Sequence, residues 1–379
     1  MRVAIVGGGV MGCATALALA KRGAEVVLLE RAVPGAEASS AAAGILGAQM
    51  EAPGGSPLLD LLVSARAGYG PWAEELRAET GIDIGFRVSG VLHVARTEAE
   101  RDALAKAVAW QSNEGLTASL LEPKDARAIE PELSADIVAA AHFPDDAQID
   151  PPSLLRALVA AVSRAGVTVR SGISVERVIV EGGKCLGVAL ASDTHEAEEL
   201  RADATVLAAG SWSSLVPGIG NLVPKVTPAR GQIVLLDERP PRLRTIVVGG
   251  DAYAVPRGDG RVLCGSTVEF VGFRRDVTAG GVHSILEGTL RVVPGLANAT
   301  LASTWSSFRP FAVEGVPMIG KSKLPGLFLA TGHHRNGILL AKVTGDRVAS
   351  AIYASDRAQV PKPADTELDI DIDVTEPPR

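Results

Sequence analysis

An α/β fold, with a doubly wound parallel sheet in one domain and a mixed antiparallel sheet in a second, α+β domain, is predicted by three stretches of this chain. The first is residues 1–30, MRVAIVGGGVMGCATALALAKRGAEVVLLE. The second is an apolar run that ends in Ala208-Ala209-Gly210. The third is the set of strand-like runs in residues 86–145 and 223–307, set between segments that read as α/β.

Residues 2–6 are a short apolar strand, and Gly7, Gly9 and Gly12 supply a G-x-G-x-x-G turn. Residues 11–22 have the spacing of a buried helix closed by Gly23, and residues 26–29 form a second strand ending in Glu30. Each part has a physical task in a Rossmann-like unit. Gly7 makes the tight turn, Gly9 lets backbone approach a pyrophosphate, and Gly12 lets helix and strand pack closely. Val10 and Met11 open the helix, whose positive end faces the phosphates. Glu30, beside Arg31, stands where a carboxylate accepts from both ribose hydroxyls and repels a 2′-phosphate, which disfavours NADP. A glycine-rich turn alone occurs in many α/β proteins that bind nothing, but here strand, turn, helix, strand and acid fall in order. A secretory signal is the competing reading, since residues 10–20 are apolar. One arginine before that run is a thin positive region, and cleavage near Ala20 would destroy the unit, so the chain is read as unprocessed and cytoplasmic.

Composition suits a soluble enzyme of two or three domains: 379 residues, 47% hydrophobic and 21% charged. With a net charge of −7 and no basic block, nucleic acid and anionic membranes are poor partners. No apolar run is long enough for a membrane span. Cys13, Cys185 and Cys264 each lie in an apolar stretch and read as buried free thiols. No Cys/His cluster has metal-ligand spacing, so no metal is expected.

Residues 38–46, ASSAAAGIL, are a run of small side chains. Standing alone they read as a helix start capped by Ser39 or Ser40. After a dinucleotide fold, Ser39, Ser40, Ala43, Gly44 and Ile45 also suit close approach to a flavin nucleotide. Residues 60–80 and 98–115 look helical, and 90–95 alternate like a strand. Asp150 or Ser153 caps a helix through Arg164 that Gly166 ends, and a strand follows. A hairpin then runs from Val175 through Glu181-Gly182-Gly183. The apolar strand ending in Ala209 and Gly210 resembles the second landmark of flavoproteins with two dinucleotide-binding domains, which shifts the expected cofactor from NAD to FAD.

Near the C-terminus stands Gly332-His333-His334-Arg335-Asn336-Gly337-Ile338-Leu339-Leu340-Ala341. This segment resembles the D-amino-acid oxidase superfamily of FAD-dependent oxidoreductases, and within it the glycine oxidases, where G-H-x-R-N-G-I-L-L-A closes the FAD site. The small-residue run, the tyrosine strand 251–257 and the arginine turn Phe308-Arg309-Pro310 are similar in kind and order, so the resemblance extends to about Ala354. It implies non-covalent FAD contacted by His333, His334, Arg335, Asn336, Gly337, Ile338 and Leu339. A helix beginning near Gly337 would point free N–H groups and a positive dipole end at the N1–C2=O edge of the flavin, where reduced flavin is anionic. The implied FAD-binding domain is 1–85, 146–222 and 308–360, and the substrate domain is 86–145 and 223–307. Residues 361–379 read as an acidic, proline-rich tail.

The resemblance makes Arg309 the anchor for a substrate carboxylate, held bidentately, although solvated arginines are commoner in general. Tyr253 matches the family's substrate-contacting tyrosine, and reads equally well as a core aromatic with a satisfied hydroxyl. Arg335 matches a residue near flavin and substrate, and reads also as a flavin-domain ion pair. Two positions depart from the family's pattern: Asp251 stands where a polar or histidine residue is usual, and Val268 where a bulkier one is. An Asp251 facing the pocket would pair with a substrate ammonium. No protein acid or base is expected at the reacting carbon. The implied activity is FAD-dependent oxidation of a small amino acid or secondary amine, with O2 as acceptor and peroxide as product, feeding thiamine thiazole synthesis. The alternatives are a D-amino-acid or D-proline-type dehydrogenase passing electrons to a carrier, and a non-catalytic or tRNA-modification flavoprotein. A homo-oligomer is expected.

Overall fold

The computed structural model describes residues 1–50, 58–191 and 198–359, so the expected tail at 361–379 lies outside the described residues. The strand Arg2–Val6 lies between Glu25–Glu30 and Ala204–Leu207, parallel to both. The sheet continues to Thr168–Ser171 on one side and to Leu327–Thr331 on the other, where antiparallel Met318–Lys321 forms the edge. Its central strands are apolar at nearly every position because both faces are covered. Val3, Ile5, Val26 and Leu28 meet a helical layer, and Ala4, Val6, Val27 and Leu29 meet residues of a three-stranded antiparallel sheet. That small sheet is Val175–Glu181, Lys184–Leu190 and Glu198–Arg201.

Three helices make most of the other layer: Val10–Ala20, Pro151–Arg164 and Ala341–Gln359. The second starts where expected. Asp150 accepts from the Ser153 N–H and two prolines occupy the first turn, where no N–H is missed. The expected helix over 60–80 is two helices, Leu58–Ala67 and Tyr69–Thr80, with Gly68 between them. Cys13 and Cys264 are buried among apolar side chains, which pushes both thiols up to about 12.

A second, eight-stranded sheet runs in the order Thr300–Ala312, Val226–Asp237, Arg261–Gly265, Ala252–Pro256, Ile246–Gly249, Val91–Ala95, Ala139–Phe143, Ser119–Leu121. One pair, Ile246–Gly249 with Val91–Ala95, is parallel, so the sheet is mixed. Helix Ala279–Val292 packs on one face through Ile285 and Val292. The other face carries Val248, Tyr253, Val255 and Leu263, packed with Ala43 of the N-terminal unit. This is where the two large sheets meet.

The arginine turn expected at 308–310 is instead the interior of strand Thr300–Ala312, and a boundary at 308 would cut it. Its register runs unbroken from Arg309 opposite Ala229 to Ala312 opposite Val226. Pro310 is tolerated because the strand is at a sheet edge, opposite Pro228. Among the described residues no helix is long and apolar enough to cross a membrane, and no cluster of three or more His, Cys, Asp or Glu could hold a metal ion.

The helical layer depends on Gly345, where a Cβ would fall 2.7 Å from the Ala14 carbonyl oxygen of the first helix. Gly345→Ala should therefore force these helices apart and cost about 1–3 kcal/mol, the usual range for overpacking. A denaturation midpoint equal to that of the parent would show that the helices separate freely.

Candidate active site

A cavity of about 410 Å³ opens between the two large sheets. The end of it that the sequence assigns to phosphates is built by backbone. Gly7 has φ +107°, and a Cβ there would sit 2.5 Å from the Ala208 carbonyl oxygen. A Cβ on Gly12 would sit 1.9 Å from the carbonyl oxygen of Gly7, so Gly12 serves helix–strand packing and does not line the cavity. Gly9, Val10 and Met11 do line it. The helix they open has no acid in its first turn, and its Val10 N–H is met by the Ser39 hydroxyl at 3.0 Å. Ser40, the other small hydroxyl expected here, does not line the cavity.

Glu30 reaches the cavity from the end of its strand, and its carboxylate is held by the N–H groups of Gly8 at 2.8 Å and Ala32 at 2.9 Å. Arg31 stacks on the Trp212 ring at 3.9 Å and pairs with Glu37 at 2.8 Å. Ala43, Gly44, Ile45, Val175, Ala209 and Gly210 line the cavity as well. Gly44 has φ +75°, and a Cβ there would fall 2.2 Å from the Ile149 carbonyl oxygen.

The far end is the segment 333–338, all of which lines the cavity. The helix expected from Gly337 begins at Ala341, after a 3-10 turn at His334–Asn336. Asn336 N–H bonds His333 C=O and Leu340 N–H bonds Asn336 C=O, both at 2.9 Å. The helix dipole thus starts further on than expected, with turns at 337–340 between the 3-10 turn and the helix. Leu339 points into the core beneath, not into the cavity, because the turn places it among the apolar residues of the helical layer.

His333 is fully buried, its Nε2 shares a hydrogen bond with the Thr344 hydroxyl at 3.0 Å, and burial pushes its pKa down to about 3. His334, at φ +46°, is pushed down to about 4 by burial and then by Arg309 and Arg335. Both rings are neutral at pH 7. His333 Nδ1, His334 Nε2 and Ser307 Oγ are buried without a partner, and all three residues line this cavity. Buried polar groups normally find one, so the cavity fits a ligand with a polar, hydrogen-bonding edge. A flavin ring has such an edge, and the glycine cradle with Glu30 fits the diphosphate and ribose of FAD.

Arg309 projects from the edge strand into the cavity wall. Its guanidinium lies across Gly231, where a Cβ would fall 2.2–2.4 Å from it. It donates from Nη1 to the Thr267 carbonyl at 3.0 Å and from Nη2 to the Ser266 hydroxyl at 2.7 Å. Tyr253 is buried and lines the same cavity, its ring packed over Gly265, where a Cβ would meet the hydroxyl at 2.3 Å. Arg335 lines it too. Asp251 does not. It sits exposed in the two-residue turn between Ile246–Gly249 and Ala252–Pro256 and lines a separate cavity of about 330 Å³, because the turn carries it beyond the alternation that points Tyr253 inward. Val268 is also exposed and off the cavity. Sequence reasoning missed Gly231, Ser266 and Trp212, all cavity-lining. A glycine inside an apolar strand pattern was the one available signal, since it marks close approach of another group.

Residues 2–351 match the DAO family, FAD dependent oxidoreductase. The chain belongs to this family. It is 36% identical to the glycine oxidase of Geobacillus kaustophilus, with 94% of each chain covered. It is 35% identical to the bifunctional protein ThiO/ThiG of Nostoc sp., covering 92% of this chain and 52% of that one. The crystal structure of the Geobacillus kaustophilus glycine oxidase superposes with a TM-score of 0.88 at 37% identity, covering 93% of this chain and 95% of the other. As a FAD-dependent oxidoreductase, the protein takes its redox chemistry from the cofactor, and the chain contributes binding and orientation.

Glu30→Ala removes the carboxylate that meets the Gly8 and Ala32 amides at the nucleotide end of the cavity. FAD should dissociate at least tenfold more readily from the variant, measured by flavin fluorescence on dilution of the holoenzyme, with the far-UV spectrum unchanged. Retention equal to the parent would remove Glu30 from the nucleotide site.

Proposed function

We propose that this enzyme oxidises a small amino acid, glycine or a near relative such as sarcosine or a small D-amino acid, with the substrate carboxylate held by Arg309. The observation that carries the reading is the setting of that guanidinium. It lies at the wall of the flavin cavity, flat on Gly231, with Ser266 and Thr267 fixing its orientation. A planar fork held in one orientation binds a carboxylate bidentately, at little further cost in side-chain freedom.

FAD, when bound, supplies the two-electron acceptor for the substrate Cα–H. The chain's residues do the rest. Arg309 and Tyr253 hold the carboxylate end, so that positioning carries the acceleration. The two cavity histidines are neutral at working pH and would pack against and hydrogen-bond the cofactor edge. No side chain is assigned as acid or base at the reacting carbon. The resulting imino acid hydrolyses in water to a 2-oxo acid and ammonia, or methylamine when the substrate is sarcosine, with O2 as final acceptor and hydrogen peroxide as product. None of the three cysteines lines the cavity, which supports FAD held without a thioether bond. Likeness to the ThiO/ThiG proteins supports a role in making the thiazole of thiamine.

Arg309→Ala leaves a bound carboxylate without its partner, a cost of about 2–5 kcal/mol for a buried, hydrogen-bonded pair. That corresponds to roughly a thirty- to several-thousand-fold loss of kcat/KM at about 1.36 kcal/mol per decade, with FAD content kept. Arg309→Lys should recover only part of it. The measurement is anaerobic flavin reduction by glycine, sarcosine and D-alanine beside an amine lacking a carboxylate. Equal losses with both classes, or none with the amino acids, would contradict the anchor.

A further inference from the structure

A half-buried ionic network stands behind Arg309, outside the cavity. Arg230, only 4% exposed, faces away from the Gly231 side of its strand and makes a two-point contact with Glu269, Nη2 to Oε1 at 2.9 Å and Nε to Oε2 at 3.1 Å. The two residues also exchange backbone hydrogen bonds, at 2.8 and 2.9 Å. Glu269 Oε2 accepts further from Gln232 Nε2 at 2.9 Å and from the Thr267 hydroxyl at 2.8 Å. The Thr267 hydroxyl in turn accepts the Gln232 N–H at 3.0 Å. Every bond in this set bears on residues 266–269. Those residues bring the Ser266 hydroxyl and the Thr267 carbonyl to the Arg309 guanidinium.

We propose that the Arg230–Glu269 ion pair is a positioning device for Arg309, fixing the direction of its fork through Ser266 and Thr267. The inference rests on the reading of Arg309 as the carboxylate anchor. Chemistry explains why a carboxylate stands at 269. One oxygen, Oε2, takes three donors, which an amide can match only by turning its own NH2 away from every one of them. Strand geometry explains the rest. Residues 266–269 leave the sheet after Arg261–Gly265 and have little ladder pairing of their own beyond the bridge to Arg230, so side-chain bonds must hold them. Glu269 is kept ionised because hydrogen bonding from Arg230 holds its pKa down at about 2.

The test is the dissociation constant of acetate, a carboxylate that cannot be oxidised, read from the perturbed flavin spectrum of holoenzyme. Glu269→Gln should weaken acetate binding about tenfold and Thr267→Val at least fivefold, with FAD content retained in both. Thr267→Val changes no charge, so its loss reports orientation alone, and it carries the test should Glu269→Gln fail to fold. For Glu269→Gln the electrostatic effect runs the other way, since removing a negative charge favours an anion. In an Arg309→Ala background, neither substitution should change acetate affinity by more than about twofold, because residues acting through one group are not additive. Parent-like binding by Glu269→Gln and Thr267→Val, or an equal loss from each with and without Arg309, overturns the positioning role alone. Parent-like binding by Arg309→Ala overturns the anchor, and the positioning role with it.

Discussion

The guanidinium of Arg309 lies flat across the backbone of Gly231, and the cavity wall on the second sheet is built on that contact. The register of two long strands sets it, with Arg309 opposite Ala229 and Ser307 opposite Gly231. A side chain at 231 would occupy the volume the guanidinium fills. The second sheet therefore presents a cation on a small, flat floor, and the loop after Arg261–Gly265 closes on its other side. Position, more than acidity, is what the chain provides here. Both nearby histidines are depressed in pKa by burial and carry no charge at neutral pH.

At the nucleotide end the same economy of side chains recurs. Gly7, Gly12 and Gly44 stand where a Cβ would strike a carbonyl oxygen, which lets strand end, helix start and the small-residue run crowd together. Val10 N–H and the Gly8 amide have partners in Ser39 and Glu30, so the polar groups around the first helix are oriented within the chain itself. The two ends share one cavity because Ala43 and Ile45 of the N-terminal unit pack onto the Tyr253 face of the second sheet.

The nucleotide end was legible in the sequence because its constraints are local. A strand, three glycines, a helix and an acid within thirty residues carry their own geometry, and so does the Asp150 cap. That Arg309 and Tyr253 line the cavity was legible through family resemblance, the surrounding residues alone leaving solvated and core readings open. What was not legible depends on register between distant strands. Nothing near Gly231 announces that Arg309 will lie on it, and nothing near Glu269 announces Arg230. Asp251 misled because it was counted in the tyrosine strand, which begins only at Ala252. The late start of the last helix was missed because the apolar turns at 337–340 share their sequence signature with the first turn of an α-helix.

The most direct test of this account is the dissociation constant of acetate from the Gly231→Ala holoenzyme. One added methyl group leaves every charge and every hydrogen-bonding group in place and occupies only the volume under the guanidinium. The account predicts affinity weaker by about tenfold or more, equivalent to about 1.4 kcal/mol, with FAD content unchanged. Acetate bound by Gly231→Ala as tightly as by the parent, at full FAD content, would contradict it.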